Sequence, residues 1–213
     1  MKTILCYGDS LTWGANAETD GRHAFEDRWP TVLGEGLGTD NVRIIAEGLG
    51  GRTTMFDDYS SAADRNGVRV LPTLLGTHYP IDCVVIMLGV NDMKPFTSGS
   101  ALSSSMGMKR LVEIIRGYPY GDNVRVPEVV MVSPPRCAET DHVDLKPMFE
   151  GAVAESAKFA GHYERVAKET GCAFFDAAKV AVATPIDGVH LDAANTIAIG
   201  KGLVPVVRQV LGL

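Results

Sequence analysis

No apolar run in the sequence approaches the roughly 18 consecutive residues that a helix needs to cross a bilayer. No signal-peptide pattern is visible near the N-terminus either. Cleavage at the usual distance, after about 15 to 30 residues, would also remove the first apolar strand together with Ser10. We therefore expect the functional chain to start near Met1, to work in the cytoplasm and to have no membrane partner.

Runs of basic residues are equally scarce, and the formal net charge of the chain is −6. Because phosphate contacts need a basic surface, this charge argues against a nucleic-acid partner. The apolar content of 46% and the charged content of 22% are ordinary for a globular protein. We therefore expect a globular protein without a nucleic-acid partner.

Cysteine is rare as well, and the sequence has no CxxC pair. The four cysteines are Cys6, Cys83, Cys137 and Cys172. Most of them lie in or beside apolar runs, where cysteine usually behaves as a small buried hydrophobe. We therefore expect no disulfide framework.

Spacings typical of metal ligands are also missing. Four histidines stand without such spacing: His23, His78, His142 and His162. His142 has Asp141 and Asp144 as neighbours, but a solvated loop is the favoured interpretation of that cluster. The glycines of Gly48-Leu49-Gly50-Gly51 lack the GxxxxGK[ST] form of a phosphate-binding loop. The sequence predicts neither a metal nor another cofactor.

Short apolar runs alternate along the chain with longer amphipathic stretches. Apolar strands without polar alternation favour a parallel sheet covered on both faces, and strand–helix alternation favours right-handed βαβ units. The predicted strands are Thr3–Tyr7, Val42–Ala46, Cys83–Leu88, Val129–Val132 and Cys172–Phe175. The predicted helices lie near Asp27–Gly36, Gly67–Thr77, Ala101–Arg116, Lys146–Thr170 and Asp192–Leu211. We expect one α/β domain over residues 1–213, with three layers and a central parallel sheet of about five strands.

Chemically useful residues follow four of the predicted strands. Ser10 follows the first strand, Gly50-Gly51-Arg52 the second and Gly89-Val90-Asn91-Asp92 the third, while Asp187 and His190 follow the fifth. Ligands of open parallel sheets bind beyond the carboxyl ends of the strands. Three long loops, at residues 15–26, 56–66 and 136–145, are expected to form walls of that site.

Ser10 is the candidate nucleophile, and Asp187-Gly188-Val189-His190 supplies the two groups that a serine needs. A serine hydroxyl requires a base to accept its proton and a third group to orient that base. A spacing of three residues lets the Asp187 carboxylate bond to one imidazole nitrogen of His190 while the other nitrogen faces Ser10. This arrangement predicts nucleophilic catalysis.

The tetrahedral intermediate of such a reaction also needs hydrogen-bond donors for its oxyanion. The candidates are the backbone N–H groups of Ser10 and Gly51 and the side-chain amide of Asn91. The sequence Gly8-Asp9-Ser10-Leu11-Thr12 lacks the second glycine of the GxSxG nucleophile elbow, so an α/β-hydrolase is not indicated.

These blocks together resemble the SGNH (GDSL-type) hydrolase family. The matching blocks are Gly8-Asp9-Ser10-Leu11-Thr12-Trp13-Gly14, the segment around Gly51, Gly89-Val90-Asn91-Asp92 and Asp187-Gly188-Val189-His190, in order over nearly the whole chain. The resemblance implies a flavodoxin-like three-layer fold and ester hydrolysis through Ser10, His190 and Asp187. It also implies oxyanion roles for the Ser10 amide, Gly51 and Asn91.

Within that family the chain resembles bacterial arylesterases that also transfer acyl groups to alcohols. The matching stretches include Ile4–Gly14, Glu47-Gly48-Leu49, Arg52-Thr53-Thr54, Val132-Ser133-Pro134-Pro135 and Phe174-Phe175-Asp176. Those relatives form homo-oligomers, so the resemblance implies a homo-oligomer. The chain differs from them in a shorter loop at residues 15–26, in Gly50-Gly51 where a Ser-Ala pair is expected, and in a polar rather than apolar loop at residues 136–145.

Several residues have a second interpretation that the sequence leaves open. Ser10 alone could be a helix N-cap, although the other blocks favour the nucleophile. Trp13 is expected either to line the acyl pocket or to fill the core. Arg52 is expected to contact substrate or, with more weight, to pin loops. Asp9 and Asp92 are expected to brace turns rather than to act in the reaction.

The sequence therefore predicts a serine esterase for small acyl esters of the acetyl type, and the arylesterase resemblance implies acyl transfer to alcohols. A carbohydrate O-acetyl esterase is the alternative, because the loops that differ are polar. A flavodoxin-like ligand-binding module without turnover is a third, less favoured interpretation.

Overall fold

The computed structural model describes residues 1–213 and has a five-stranded parallel sheet in the order β4-β1-β5-β6-β7. The strands are β1 (Lys2–Gly8), β2 (Ala15–Asn16), β3 (Gly21–Arg22), β4 (Val42–Gly48), β5 (Cys83–Met87), β6 (Glu128–Ser133) and β7 (Ala173–Asp176). The short strands β2 and β3 form a separate antiparallel pair. The predicted parallel sheet of five strands is confirmed, with ends that differ by one or two residues.

Helices cover both faces of this sheet, as a doubly wound α/β fold requires. They are α1 (Ser10–Trp13), α2 (Trp29–Leu37), α3 (Gly67–His78), α4 (Ala101–Gly117), α5 (Leu145–Met148), α6 (Ala152–Ser156), α7 (Phe159–Thr170) and α8 (Ala193–Leu211). Helices α2 and α8 pack against each other, whereas α3, α4 and α7 form a second packed row. Short 3-10 helices span Phe25–Asp27, Val90–Met93 and Ala177–Lys179. No helix is long and apolar enough to traverse a bilayer.

The strands are apolar on both sides because both of their faces are covered. Every residue of β5 is buried, and β1 is buried from Ile4 to its end. A connected core of 42 buried side chains joins the strands to the long helices. Cys6 and Cys83 belong to that core, and all four cysteines are free thiols.

The prediction of one helix over Lys146–Thr170 was wrong. The segment contains three helices, α5, α6 and α7, with breaks between Met148 and Ala152 and between Ser156 and Phe159. Gly151 adopts a left-handed conformation with φ of +80°, which no helix interior accepts. Phe149 before the break and Ala152 and Phe159 after it all lie in or against the core, so periodicity alone did not reveal the break.

Two glycines in helices provide a test of the packing between α2 and α8. A Cβ atom added at Gly200 of α8 would lie 2.6 Å from Val32 Cβ and 2.7 Å from the Trp29 carbonyl oxygen. A Cβ atom at Gly161 of α7 would meet nothing within 4 Å. We expect Gly200→Ala to lower the free energy of unfolding by about 1–3 kcal/mol through overpacking. Gly161→Ala should raise it by about 0.5–1 kcal/mol through helix propensity.

Urea denaturation of the two variants and the wild type measures both effects. Equal changes in the two variants would contradict a close α2–α8 contact at Gly200, because helix propensity acts alike at both positions.

Candidate active site

Strand β1 ends in a tight turn that places Ser10 at the first position of α1. The Asp9 carboxylate caps this helix by accepting a hydrogen bond from Leu11 N at 2.9 Å. The turn presses closely on the sheet, because a Cβ atom at Gly8 would lie 1.9 Å from Thr12 Oγ1. At Gly48, on the neighbouring strand β4, a Cβ atom would lie 2.2 Å from Trp13 N. Both strand ends therefore need glycine for α1 to lie where it does.

His190 lies between the Ser10 hydroxyl and the Asp187 carboxylate. Its Nε2 atom is 3.0 Å from Ser10 Oγ, and its Nδ1 atom is 2.5 Å from Asp187 Oδ2. The second carboxylate oxygen of Asp187 accepts hydrogen bonds from the backbone N–H groups of Val189 and His190 at 2.9 and 2.8 Å. The structure thus brings together the three residues that the sequence selected, over a separation of 180 positions.

The environment of Asp187 keeps its carboxyl group ionised. Burial opposes ionisation, but the hydrogen bond with His190 and those from the backbone N–H groups outweigh it and lower the pKa of Asp187. An ionised carboxylate at this distance fixes the proton of the imidazole on Nδ1, which leaves Nε2 free to accept the proton of Ser10.

The three expected oxyanion donors follow the ends of adjacent strands, at the same edge of the sheet. The N–H group of Ser10 is in the first turn of α1 and has no partner within that helix. Gly51 has a φ of +81°, and its N–H group donates to no acceptor within the protein. Asn91 is buried and uses its side-chain amide for one bond, to the Arg52 carbonyl oxygen at 3.2 Å. One N–H bond of this amide stays unused.

Two buried carboxylates brace the site, as the sequence analysis expected. Asp92 accepts hydrogen bonds from Thr54 N at 2.9 Å and from Thr54 Oγ1 at 2.6 Å. Asp9 bonds to Leu11 through one oxygen, while its Oδ2 atom has no partner. Burial raises the pKa of Asp92 and the pKa of Asp9 to about 6 each.

Arg52 and Trp13, the two candidates for substrate contact, have different surroundings. Arg52 is buried, and its guanidinium donates to the carbonyl oxygens of Gly8, at 2.7 Å, and of Glu47. Its guanidinium also stacks 4.4 Å from the centre of the Tyr7 ring. These contacts are those of a residue that pins loops, the second of the two roles expected for Arg52. Trp13 is 36% exposed and faces the cleft at the site.

A cleft of about 170 Å³ opens beside His190. Its lining residues are Trp13, Ala15, Asn16, Ala17, Asp20, Gly21, His142, Leu145, Asp187 and His190. The loops predicted as site walls at residues 15–26 and 136–145 supply most of them. The individual residues Asn16, Asp20 and His142 were not selected from the sequence, since isolated polar residues in loops carry no spacing signal.

A second cavity of about 350 Å³ lies beside helices α5 and α6. Its lining includes Phe149, Val189 and Asp187 but neither Ser10 nor His190. No group of three or more His, Cys, Asp or Glu side chains is arranged to hold a metal ion. In the loop at 136–145, the Asp141 carboxylate pairs instead with Lys146 at 2.8 Å.

Comparisons with protein families and solved structures find several proteins similar to this chain. The GDSL-like Lipase/Acylhydrolase family matches residues 6–196 of the chain. A carbohydrate acetylesterase family member from Sinorhizobium meliloti is 54% identical, with a TM-score of 0.98 and full coverage of both chains. The aryl esterase of M. smegmatis is 38% identical, with a TM-score of 0.93 and coverage of 99% of this chain and 100% of the other.

A second carbohydrate acetylesterase from Sinorhizobium meliloti is 34% identical, with a TM-score of 0.92 over 99% of this chain and 100% of the other. A comparison with curated proteins gives no match.

The raised pKa of Asp92 predicts a pH-dependent effect of Asp92→Asn on stability. A folded-state pKa of about 6 exceeds the ordinary value of 3.8, so the folded protein holds this proton more tightly than the unfolded chain does. The stabilisation is complete below pH 4 and is lost as the pH rises through 6. Asparagine resembles the protonated acid, so the variant should match the wild type near pH 4 and exceed its unfolding free energy by up to about 3 kcal/mol at pH 8.

Urea denaturation at pH 4.5 and pH 8 measures this difference, with Asp40→Asn at an exposed position as the control. A stability gain that is the same at both pH values would contradict the raised pKa.

Proposed function

This chain belongs to the GDSL-like lipase/acylhydrolase family, and we propose that Ser10, His190 and Asp187 form the catalytic triad with which it hydrolyses small acyl esters. The chain is a carboxylic ester hydrolase, as are the arylesterase and the carbohydrate acetylesterases to which it is similar over their full length. The observation that supports the triad is the position of His190, 3.0 Å from Ser10 Oγ and 2.5 Å from Asp187 Oδ2.

The first half of the proposed reaction acylates Ser10. Its Oγ atom attacks the carbonyl carbon of the ester while His190 Nε2 accepts the hydroxyl proton. The Asp187 carboxylate stabilises the imidazolium that forms. His190 then returns the proton to the leaving alkoxide, the bond between carbonyl carbon and alkoxide oxygen breaks, and the acyl group stays on Ser10.

The oxyanion of the tetrahedral intermediate is the charge that this site must stabilise. We assign that task to the N–H groups of Ser10 and Gly51 and to the Asn91 amide, because the Gly51 N–H and one Asn91 N–H have no other acceptor. Donors that are already in place when the negative charge develops lower the barrier without a reorganisation cost.

The second half of the proposed reaction returns the enzyme to its starting state. His190 takes a proton from water, the hydroxide oxygen attacks the acyl carbon, and Ser10 leaves with the proton from His190. An alcohol in place of water gives acyl transfer instead of hydrolysis. We propose this acyl transfer on the basis of the resemblance to arylesterases.

A carbohydrate ester is the second candidate substrate class, and the polarity of the cleft favours it. Asn16, Asp20 and His142 lie around Trp13 in the cleft beside His190. His142 Nδ1 accepts hydrogen bonds from the backbone N–H groups of Asp144 and Leu145 at 3.2 and 3.3 Å. A nitrogen that accepts two N–H groups carries no proton, so the proton of the neutral ring is on Nε2. This Nε2–H group is a donor for a sugar hydroxyl, and Trp13 offers an apolar face.

Three further properties remain predictions of the resemblance and the composition. They are a cytoplasmic location, a single domain over residues 1–213 and assembly as a homo-oligomer. Exposed apolar side chains, among them Phe25 at 68% and Phe96 at 58%, are compatible with such an assembly.

Removal of the proposed nucleophile tests the triad. Ser10→Ala should lower the turnover of p-nitrophenyl acetate by about a million-fold, because no other hydroxyl group lies against His190. The variant should also lose the covalent adduct that a fluorophosphonate forms with the wild type, measured by intact-protein mass spectrometry. Retention of most activity by the variant would contradict the triad. Absence of an adduct in the wild type would favour a binding module without turnover.

Substitution of His142 tests the carbohydrate candidate. Asparagine at 142 can still accept the backbone N–H groups of residues 144 and 145 through its Oδ1 atom but presents no Nε2–H donor. We expect His142→Asn to lower kcat/KM for acetylated xylose about tenfold and to change kcat/KM for p-nitrophenyl acetate less than twofold. His162→Asn, on helix α7, is the matched control. An equal loss on both substrates, or no loss on either, would contradict a sugar contact by His142.

A further inference from the structure

The buried carboxylate of Asp58 forms salt bridges with two cationic side chains, Arg65 and Lys94. Asp58 Oδ2 is 2.9 Å from Arg65 Nη1 and 3.3 Å from Lys94 Nζ. The side chains of Asp58 and Lys94 are 1% and 5% exposed, whereas that of Arg65 is 20% exposed. The other oxygen of Asp58 accepts two bonds from Ser60, through N at 3.0 Å and Oγ at 2.6 Å.

Arg65 and Lys94 connect Asp58 to two different segments of the site. Arg65 Nε donates to the Gly50 carbonyl oxygen at 3.1 Å. The same side chain also occupies the space beside Gly51, since a Cβ atom added there would lie 2.3 Å from Arg65 Nε. Gly50 and Gly51 have no side chains with which to anchor themselves, and glycine has the greatest backbone freedom. Arg65 therefore restrains the Gly50-Gly51 segment, which has no side chains of its own that could hold it in place.

Lys94 connects the network to the other proposed donor, Asn91. It directly follows the 3-10 helix Val90–Met93, which carries Asn91. The Thr97 hydroxyl lies 2.9 Å from both the Asn91 and the Lys94 carbonyl oxygens and ties this turn together. The Lys94 ammonium group is further enclosed by the rings of Phe96 and Phe149, each with its centre 5.7 Å away.

We propose that Asp58, through Arg65 and Lys94, is a positioning network that holds the Gly51 and Asn91 donors at a fixed separation for the oxyanion. The inference rests on the proposed function, in which Gly51 and Asn91 donate to that oxyanion. None of the three residues touches the reacting atoms, so each acts through the loop that it holds. A buried ion pair contributes little net stability, because desolvation offsets the attraction of its charges. Placement of the two loops is therefore the main effect of the network.

The carboxylate of Asp58 stays ionised near neutral pH. Burial opposes ionisation of Asp58, but the hydrogen bonds from Ser60 and the charge of Lys94 lower the pKa of its carboxyl to about 2. The negative charge of Asp58 is thus constant near neutral pH, whereas burial lowers the pKa of Lys94 from its ordinary value.

Arg65 is the most informative residue to change, because it is the least buried of the three. Arg65→Met keeps the length of the side chain but removes the bonds to Gly50 and Asp58. We expect kcat for p-nitrophenyl acetate to fall about 10- to 100-fold while KM stays within twofold, since the oxyanion exists only after attack on the ester. Arg69→Met is the matched control, because Arg69 pairs with Asp57 and Asp64 of the same loop and donates to neither Gly50 nor Gly51.

Binding of a trifluoromethyl ketone separates positioning from a merely structural role. This compound forms an oxyanion adduct with the serine, so its affinity for Arg65→Met should fall by the same factor as kcat/KM. Kinetics of Arg69→Met should equal those of the wild type. A kcat of Arg65→Met equal to that of Arg69→Met, or a lower kcat with unchanged ketone affinity, would overturn the inference.

Arg65→Lys is a second test of the positioning role if Arg65→Met does not fold. Arg65→Lys keeps a cation for Asp58, but one ammonium group on a shorter stem lacks the fork that reaches Gly50 and Asp58 together. Its kcat should fall at least fivefold with an unchanged urea midpoint, and a wild-type kcat would overturn the inference. A result that overturns the positioning role of Arg65 would leave the Ser10-dependent activity intact. Failure of the proposed function would instead appear as activity that survives Ser10→Ala.

Discussion

The close approach of α1 to the ends of β1 and β4 is the constraint on which the rest of the site depends. In the sheet register Gly8 lies opposite Gly48 on one side and Met87 on the other, so three strands end at the same level. The absence of side chains at Gly8 and Gly48 lets the backbone of α1 rest directly on those ends. Ser10, Gly51 and Asn91 follow three adjacent strands, β1, β4 and β5. A larger residue at Gly8 or Gly48 would push α1 away from these strand ends.

Three buried aspartates around this edge carry out different tasks because their surroundings differ. Asp9 and Asp92 form no salt bridge, and burial raises the pKa of each to about 6. Asp58 lies between Arg65 and Lys94 and has a pKa of about 2. The first two brace single turns and are about half protonated near pH 6. Asp58 links two loops as a permanent anion.

Much of this arrangement could be predicted from the sequence, because it depends on local patterns. Continuous apolar runs indicated the five strands, since a strand buried on both faces has no polar alternation. The spacing of Asp187 and His190 is local, so their hydrogen bond was predictable. Their meeting with Ser10 followed from the rule that parallel strands end at one edge. The helix predicted over residues 146–170 was wrong because Gly151 breaks it while the apolar pattern continues.

By itself, then, the sequence determined the parallel sheet, the order of the loops at its edge and the residues able to act as nucleophile, base and orienting acid. Tertiary structure alone decided that Arg52 pins Gly8 rather than facing the cleft, and that Asn16, Asp20 and His142 surround Trp13. It also decided that Arg65 restrains Gly50 from 15 positions away. The reason is physical: periodicity and spacing report contacts within one element, whereas contacts between loops depend on chain paths that no short-range pattern records.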